Sequence, residues 1–170
     1  MGLLDRYPIV NIRRNHGLEH ATIHILSEKY PNLSMVGRSD LSGFTLYGDV
    51  DTEDVHEASQ EALQRMQAGE ESLAVHPRCG TIIAVTGIMT GLAAFLSMAV
   101  MGRLNSRLRV AALPEVLLAA TIAALFAHPV GLFVQENYTV TGKPGTLTIR
   151  EITCSTKQAM TIHRVATVQP

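Results

Sequence analysis

The sequence contains no tryptophan, two cysteines (Cys79 and Cys154), and aromatic residues at only 5% of its 170 positions. Two cysteines cannot build a disulfide framework, so the fold must rest on a packed core or a membrane. The missing tryptophan removes the usual indole anchor of a membrane interface. Charge is balanced as well, with 14 Lys and Arg against 15 Asp and Glu for a net charge of −1. No basic cluster dominates a face, which excludes nucleic acid as the expected partner. The start, MGLLDRYPIV, lacks a basic stretch followed by a sustained apolar run, so no signal peptide is expected. Arg6 stands where a myristoylation motif after Gly2 wants Ser or Thr.

What the sequence does have is concentrated in NIRRNHGLEHATIHILSEKY, residues 11–30. Asn11 is suited to cap a helix that runs to about Tyr30, where Pro31 and Asn32 end it. At 100° per residue His16, His20 and His24 stack on one face and Glu19 flanks it, while Leu18, Ala21, Ile25 and Leu26 form the opposite arc. Burying such a polar front without partners costs several kcal/mol per group, so it calls for a metal, a hydrogen-bond network or water. Arg13 and Arg14 lie in the first turn of that helix, the unfavourable end for cations. They are expected to be solvated, or else to bind an acidic group.

Downstream, Leu33 to Arg38 and Phe44 to Val50 read as a β-hairpin about Ser39–Gly43. Asp51 or Thr52 caps a second helix with Val55, Ala58, Ala62 and Met66 at helical spacing until Gly69, and His56 falls off that face. Residues 70–75 should be extended, leading to His76-Pro77-Arg78-Cys79-Gly80. From Cys79 to Gly102 no residue is charged, enough to cross a hydrocarbon core of ~30 Å at ~1.5 Å per residue. A second apolar run follows from Val110 to Val134, with Pro114 suited to its first turn. Gly87 and Gly91, four apart, are expected to face Ala119, Ala120, Ala123 and Ala124 in an antiparallel pair of spans. Tyr138–Thr141 and Thr146–Thr153 alternate about Gly142-Lys143-Pro144-Gly145 as a second hairpin, and Met160–Val168 reads as a last strand in one mixed sheet.

Membrane orientation sets two rules against each other. Arg103, Arg107 and Arg109 between the spans prefer the cytoplasm, which puts the His/Glu region outside. Moving that region across without a signal sequence is difficult, so the expectation is a cytoplasmic soluble part on a bacterial inner membrane.

His16-Gly17-Leu18-Glu19-His20 is H-x-x-E-H, the order found in inverzincin metallopeptidases. Two imidazoles one turn apart can grip one ion, and the acid between them can act on water as general base. His16 and His24 are about 12 Å apart along the helix, whereas zinc holds nitrogen at about 2.0–2.1 Å. His24 is therefore expected in an outer shell, with His128 and Arg78. The remaining ligands are expected at His76 and Cys79, the latter at a helix N-terminus that favours thiolate. Glu53, Asp54, Glu57, Glu61, Glu70 and Glu71 are alternatives that no spacing singles out. His163 with Arg164 reads as an outer-shell pair or plain surface.

HGLEHATIH at His16–His24, then HPRCGT at His76–Thr81 directly before an apolar span, resembles the YqhQ-like bacterial membrane proteins, described only as predicted metal-dependent proteins. GRSDLSGFTLYGDVDTEDV and the tail HRVAT resemble more closely a related set of small bacterial membrane proteins built from one domain of unknown function. The resemblance covers roughly Asn15 to Gln135 plus the tail. It implies that His16, Glu19, His20, His76 and Cys79 belong to one site, and it carries no reaction with it.

The expectation is thus an α+β membrane protein. Residues 1–79 would form a His/Glu-bearing region, 80–135 an antiparallel transmembrane hairpin, and 136–170 strands packing on the first region. Functionally it is a membrane-anchored, zinc-dependent hydrolase of peptidase type with Glu19 catalytic, or alternatively a metal-stabilised scaffold. Its partners are the lipid bilayer, a protein or peptide, and further copies of itself.

Overall fold

The computed structural model describes residues 2–104, 112–157 and 160–169. The chain divides into two units, one formed by Met1–His76 with Glu136–Pro170, the other by Pro77–Gln135. In the first unit the apolar arc around Leu18, Ala21, Ile25 and Leu26 forms one buried side of helix α1, Ile9–Lys29. The helix starts directly after Pro8, which has no N–H to lose at a helix start. Asn11 therefore lies inside α1 and does not cap it. At the other end the Tyr30 N–H closes on the Leu26 carbonyl at 2.8 Å, and Pro31 stops further winding.

Strands β1, Val36–Asp40, and β2, Gly43–Tyr47, form the first hairpin, displaced from the expected boundaries. Asp40 sets them: its carboxylate accepts the Ser42 N–H at 2.8 Å and the Ser42 hydroxyl at 3.0 Å, tightening the turn to Leu41 and Ser42. Gly43 follows at φ +139°, a conformation side chains disfavour. Helix α2, Thr52–Gln67, places Glu53 and Asp54 in its first turn and Arg65 in its last, both favoured by the helix dipole. Val55, Ala58, Ala62 and Met66 are buried as their spacing requires, and His56 is exposed. Glu71–Ala74 is a short 3-10 turn where an extended segment was expected. Leu73 and Ala74 are both buried in it.

The second hairpin pairs β3, Thr148–Lys157, with β4, Met160–Val168; their link at 158–159 lies outside the described residues. Tyr138–Thr141 is not its other arm. The Gln135–Thr139 segment makes a wide helical turn, and Thr141 runs beside α1 with its N–H on the Arg13 carbonyl at 3.2 Å. The sheet has the order β1-β2-β4-β3 and every pairing is antiparallel, where a mixed sheet was expected. Phe44, Leu46 and Val165 from its inner face join Leu18, Leu26, Val55 and Met66 in one core. Arg164 on β4 reaches both Asp40 oxygens at 2.8 Å, tying the first turn to the sheet centre. Arg164 foremost, then Ser42, holds Asp40 to a pKa of about 2.

The second unit consists of α3, Gly80–Leu104, and α4, Leu113–Val134, with Pro114 in the first turn of α4 as expected. They run antiparallel: a Cβ added to Gly131, near the end of α4, would lie 3.0 Å from Ile82 Cα, near the start of α3. The close approach falls there and not at Gly87 and Gly91, whose missing side chains would meet nothing within 4 Å. Gly87 and Gly91 lie on the exposed side of α3, and Val85, Met89 and Ala93 on its half-buried side. Arg107 and Arg109 lie outside the described residues, as does the side chain of Arg103. Both helices are long and apolar enough to cross a membrane, each with a mean hydropathy of 2.0. Their apolar surface is largely uncovered, with Ile83 and Leu125 each 73% exposed.

Candidate metal centre

One turn of α1 brings the His16 and His20 rings to 4.4 Å between centroids, with planes at 63°. Their Nδ1 atoms meet backbone oxygens, His16 at 3.0 Å from the Thr139 carbonyl and His20 at 2.7 Å from the Ala74 carbonyl. A carbonyl only accepts, so each neutral ring carries its proton on Nδ1 and its lone pair on Nε2. This is the tautomer in which histidines ligate metals, with the other nitrogen held by an outer partner. A ring nitrogen of His16 lies within 4.8 Å of one of His20. The His76 ring, just past the Glu71–Ala74 turn, is 5.8 Å from that of His20. Three of the imidazoles expected at the site are thereby gathered within the first unit.

The backbone that supplies these carbonyls is admitted by a glycine. A Cβ on Gly17 would fall 2.3 Å from the Thr141 carbonyl oxygen, so only glycine lets this strip lie against α1. Arg13 pins the same strip, donating to the carbonyls of Asn137 at 3.1 Å and Val140 at 2.9 Å, and to that of Leu4 at 3.4 Å. Arg14 donates to Gln169 Oε1 at 2.9 Å. Among the described residues neither arginine meets an acid: Arg13 ties distant backbone to α1, and Arg14 ties the Gln169 side chain to it.

Glu19, 4% exposed, turns toward β1, where its carboxylate accepts the Ser39 hydroxyl. Gly37 makes the room: a Cβ there would sit 2.1 Å from Glu19 Oε1. One turn earlier, Asn15 is fully buried, donating to the Asp40 carbonyl at 2.8 Å and accepting the Thr167 hydroxyl at 2.7 Å. The polar side of α1 is therefore divided between a histidine edge and a sheet-facing Asn15–Glu19 edge. Sequence reasoning missed Ser39, Gly37, Thr139 and the Asn15 bridge; the i,i+4 spacing of Asn15 and Glu19 was the available signal for the last.

The remaining expected site residues have the following surroundings. His24 is exposed, with Nε2 3.3 Å from Glu28, so it belongs to a surface pair and not to an outer shell. Arg78 and His128 are exposed. Cys79 is buried at the start of the second unit, its sulfur accepting the Thr81 N–H at 3.4 Å at the N-terminus of α3. Of the acidic alternatives, Asp54 and Glu57 pair with Lys29, Glu61 and Glu70 with Arg65, and Glu71 with Lys143. His163 is neither surface nor paired with Arg164: fully buried on β4, its Nε2–H donates to the Val50 carbonyl at 3.1 Å. Its Nδ1 makes no hydrogen bond among the described residues. Burial pushes its pKa below the ordinary histidine value, against a smaller opposing pull from Val50.

The chain belongs to the family described as a domain of unknown function, DUF6391, which matches residues 11–152. The match takes in the H-x-x-E-H turn, the HPRCGT segment and both long apolar helices. An uncharacterized protein of Picosynechococcus sp. (strain ATCC 27264 / PCC 7002 / PR-6) is 42% identical over 88 residues, which cover 46% of this chain and 43% of that protein. The chain thus spans less than half the length of this relative. No solved structure matches it. The resemblance to a family built on a domain of unknown function is borne out; the finer likeness to YqhQ-like proteins rests on the two motifs alone.

Proposed function

We propose that the chain is a membrane-anchored, metal-dependent hydrolase of peptidase type, in which His16, His20, Cys79 and His76 supply the ligands and Glu19 is the general base. The observation that carries this is the pair of Nδ1-to-carbonyl contacts, which leaves the Nε2 lone pairs of two histidines one turn apart available to a metal. Cys79 follows His76 by three residues, and its position at a helix N-terminus favours the thiolate that binds metals. A set of imidazoles and one thiolate suits zinc. When bound, the metal supplies Lewis acidity at the site. The protein's own groups do the rest: Thr139 and Ala74 orient the rings, and Glu19, held by Ser39 on the sheet-facing edge, has to turn toward the histidine edge to act as base.

Within this reading the two apolar helices cross a bacterial inner membrane, with the soluble part cytoplasmic and the substrate approaching along the bilayer surface. The likeness to the YqhQ-like proteins, described only as predicted metal-dependent proteins, supports the metal. A second reading is favoured by the burial of His20 and Glu19, 3% and 4% exposed: a closed structural site that stabilises a membrane scaffold. Glu19→Gln separates the two. The hydrolase reading requires that this variant keep its metal and lose hydrolysis of a peptide library that the wild type cleaves. A wild type that holds metal but cleaves nothing supports the scaffold. Loss of metal from Glu19→Gln would make Glu19 part of the ligand set, against its assignment as base.

A further inference from the structure

Strand β3 is the longest of the sheet at ten residues and, among the described residues, is paired on one side only, with β4. From Thr153 to Lys157 every residue is exposed, including the free thiol of Cys154. An edge of this kind is a ready template for another strand, and charges on it ordinarily deter pairing. Here the charges are placed so that one pairing attracts. Glu151 and Lys157 lie three residues to either side of Cys154. If two copies of β3 align antiparallel about Cys154, Glu151 of each faces Lys157 of the other. Thr153 then faces Ser155, and Ile152 faces Thr156. The register shift between Ile149 and Glu151 interrupts regular pairing just before this stretch, marking its limit.

We propose that β3 is a homodimerisation edge, pairing antiparallel with β3 of a second copy of this chain in the register centred on Cys154. Opposite-charge pairs directly across antiparallel strands stabilise the pairing, and like charges in the same places oppose it. Residues directly opposite have Cα atoms about 4.5 or 5.5 Å apart, within the roughly 4.4–6.8 Å that a disulfide spans. The two Cys154 thiols are therefore a reporter of the register.

The test uses the full chain in detergent, treated with the thiol oxidant diamide, which takes up the two hydrogens as two thiols join in a disulfide. The wild type gives a covalent dimer that Cys154→Ser abolishes, while Cys154→Ser remains dimeric by light scattering. Glu151→Lys or Lys157→Glu alone weakens self-association on the order of tenfold and lowers the cross-linked yield by a similar factor. The double variant E151K/K157E restores both, because each reversed charge again faces its opposite; its recovery also shows that the single variants fold. A monomer at all concentrations, or single charge reversals that associate and cross-link like the wild type, overturns the proposal. The latter result would point to association through another surface.

Discussion

Helices α1 and α3 are of similar length, 21 and 25 residues, yet they are specified by opposite means. In α1 the polar side chains Asn15, Glu19 and His20 are buried, and each meets a defined partner: Asp40 and Thr167, Ser39, and Ala74. In α3 the apolar side chains Ile83, Phe95 and Val100 are exposed, and its threonines bond to their own helix, Thr86 to Ile82 and Thr90 to Thr86. A buried polar group is costly unless every hydrogen bond is made, whereas exposed apolar surface is costly only in water. The two helices are thus specified differently: α1 by particular neighbours, and α3, like α4, by an apolar surface long enough to cross a membrane.

The comparison can be broken most severely by removing the same atoms from each region. Leu18→Ala opens a fully buried site beneath α1 and should cost about 2–5 kcal/mol, read as a lowered denaturation midpoint in detergent. Leu125→Ala, on the exposed side of α4, should leave that midpoint nearly unchanged. Equal losses would mean that α4 packs as a soluble core helix does. Placing charge at the same exposed position sharpens the solvent argument. Leu125→Arg is expected to cost on the order of 2.5–3.5 kcal/mol in bilayer insertion, against roughly 0.5 kcal/mol or less were that face in water. Alkaline extraction of membranes reads it: the wild type stays in the pellet, and the variant partitions increasingly to the supernatant.

The smallest effect concerns the buried polar side of the comparison and is set by pH. His163 has a folded pKa below the unfolded value of about 6.5, because burial disfavours its cation. The folded state therefore binds fewer protons than the unfolded state in that range. Its contribution to stability is complete above about pH 6.5 and is lost as pH falls toward the folded pKa. Chemical denaturation between pH 7.5 and 5 should show a falling midpoint. His163→Gln keeps an amide donor for the Val50 carbonyl without titrating, and should flatten that slope. An unchanged slope would assign the acid sensitivity to other groups.

Much of this architecture could be read from residue pattern, because the relevant forces are local or periodic. The buried arc of α1, the spacing of α2 and the two apolar helices follow from burial at helical period, and all four helices are present. The second hairpin was misassigned because Tyr138 and Val140 alternate like a strand, while the carbonyls of Asn137, Thr139 and Val140 are taken by long-range bonds from Arg13 and His16. Glycine spacing misled for a related reason. Gly87 and Gly91 carry one small-residue pattern, but the close contact is made by Gly131, whose small partner four residues earlier is the buried Ala127. At the candidate site, the His16–His20 pair and its neighbour His76 were legible from motif spacing. The carbonyls of Thr139 and Ala74 were not, because a backbone acceptor leaves no mark on residue type. Gly17 and Gly37 are where such hidden neighbours do show in the sequence, as positions that accept no side chain.

The central claim is that the polar front of α1 is built to hold a metal, and the most direct measurement is transition-metal content per chain. The full chain is purified in detergent without chelator, equilibrated with zinc and desalted, beside His16→Ala and His20→Ala variants whose helical circular dichroism is intact. The account predicts about one zinc per chain in the wild type and near-complete loss from both variants. A wild type that retains no stoichiometric metal, or variants that retain as much as the wild type, would contradict it and leave the histidines as a hydrogen-bonded cluster.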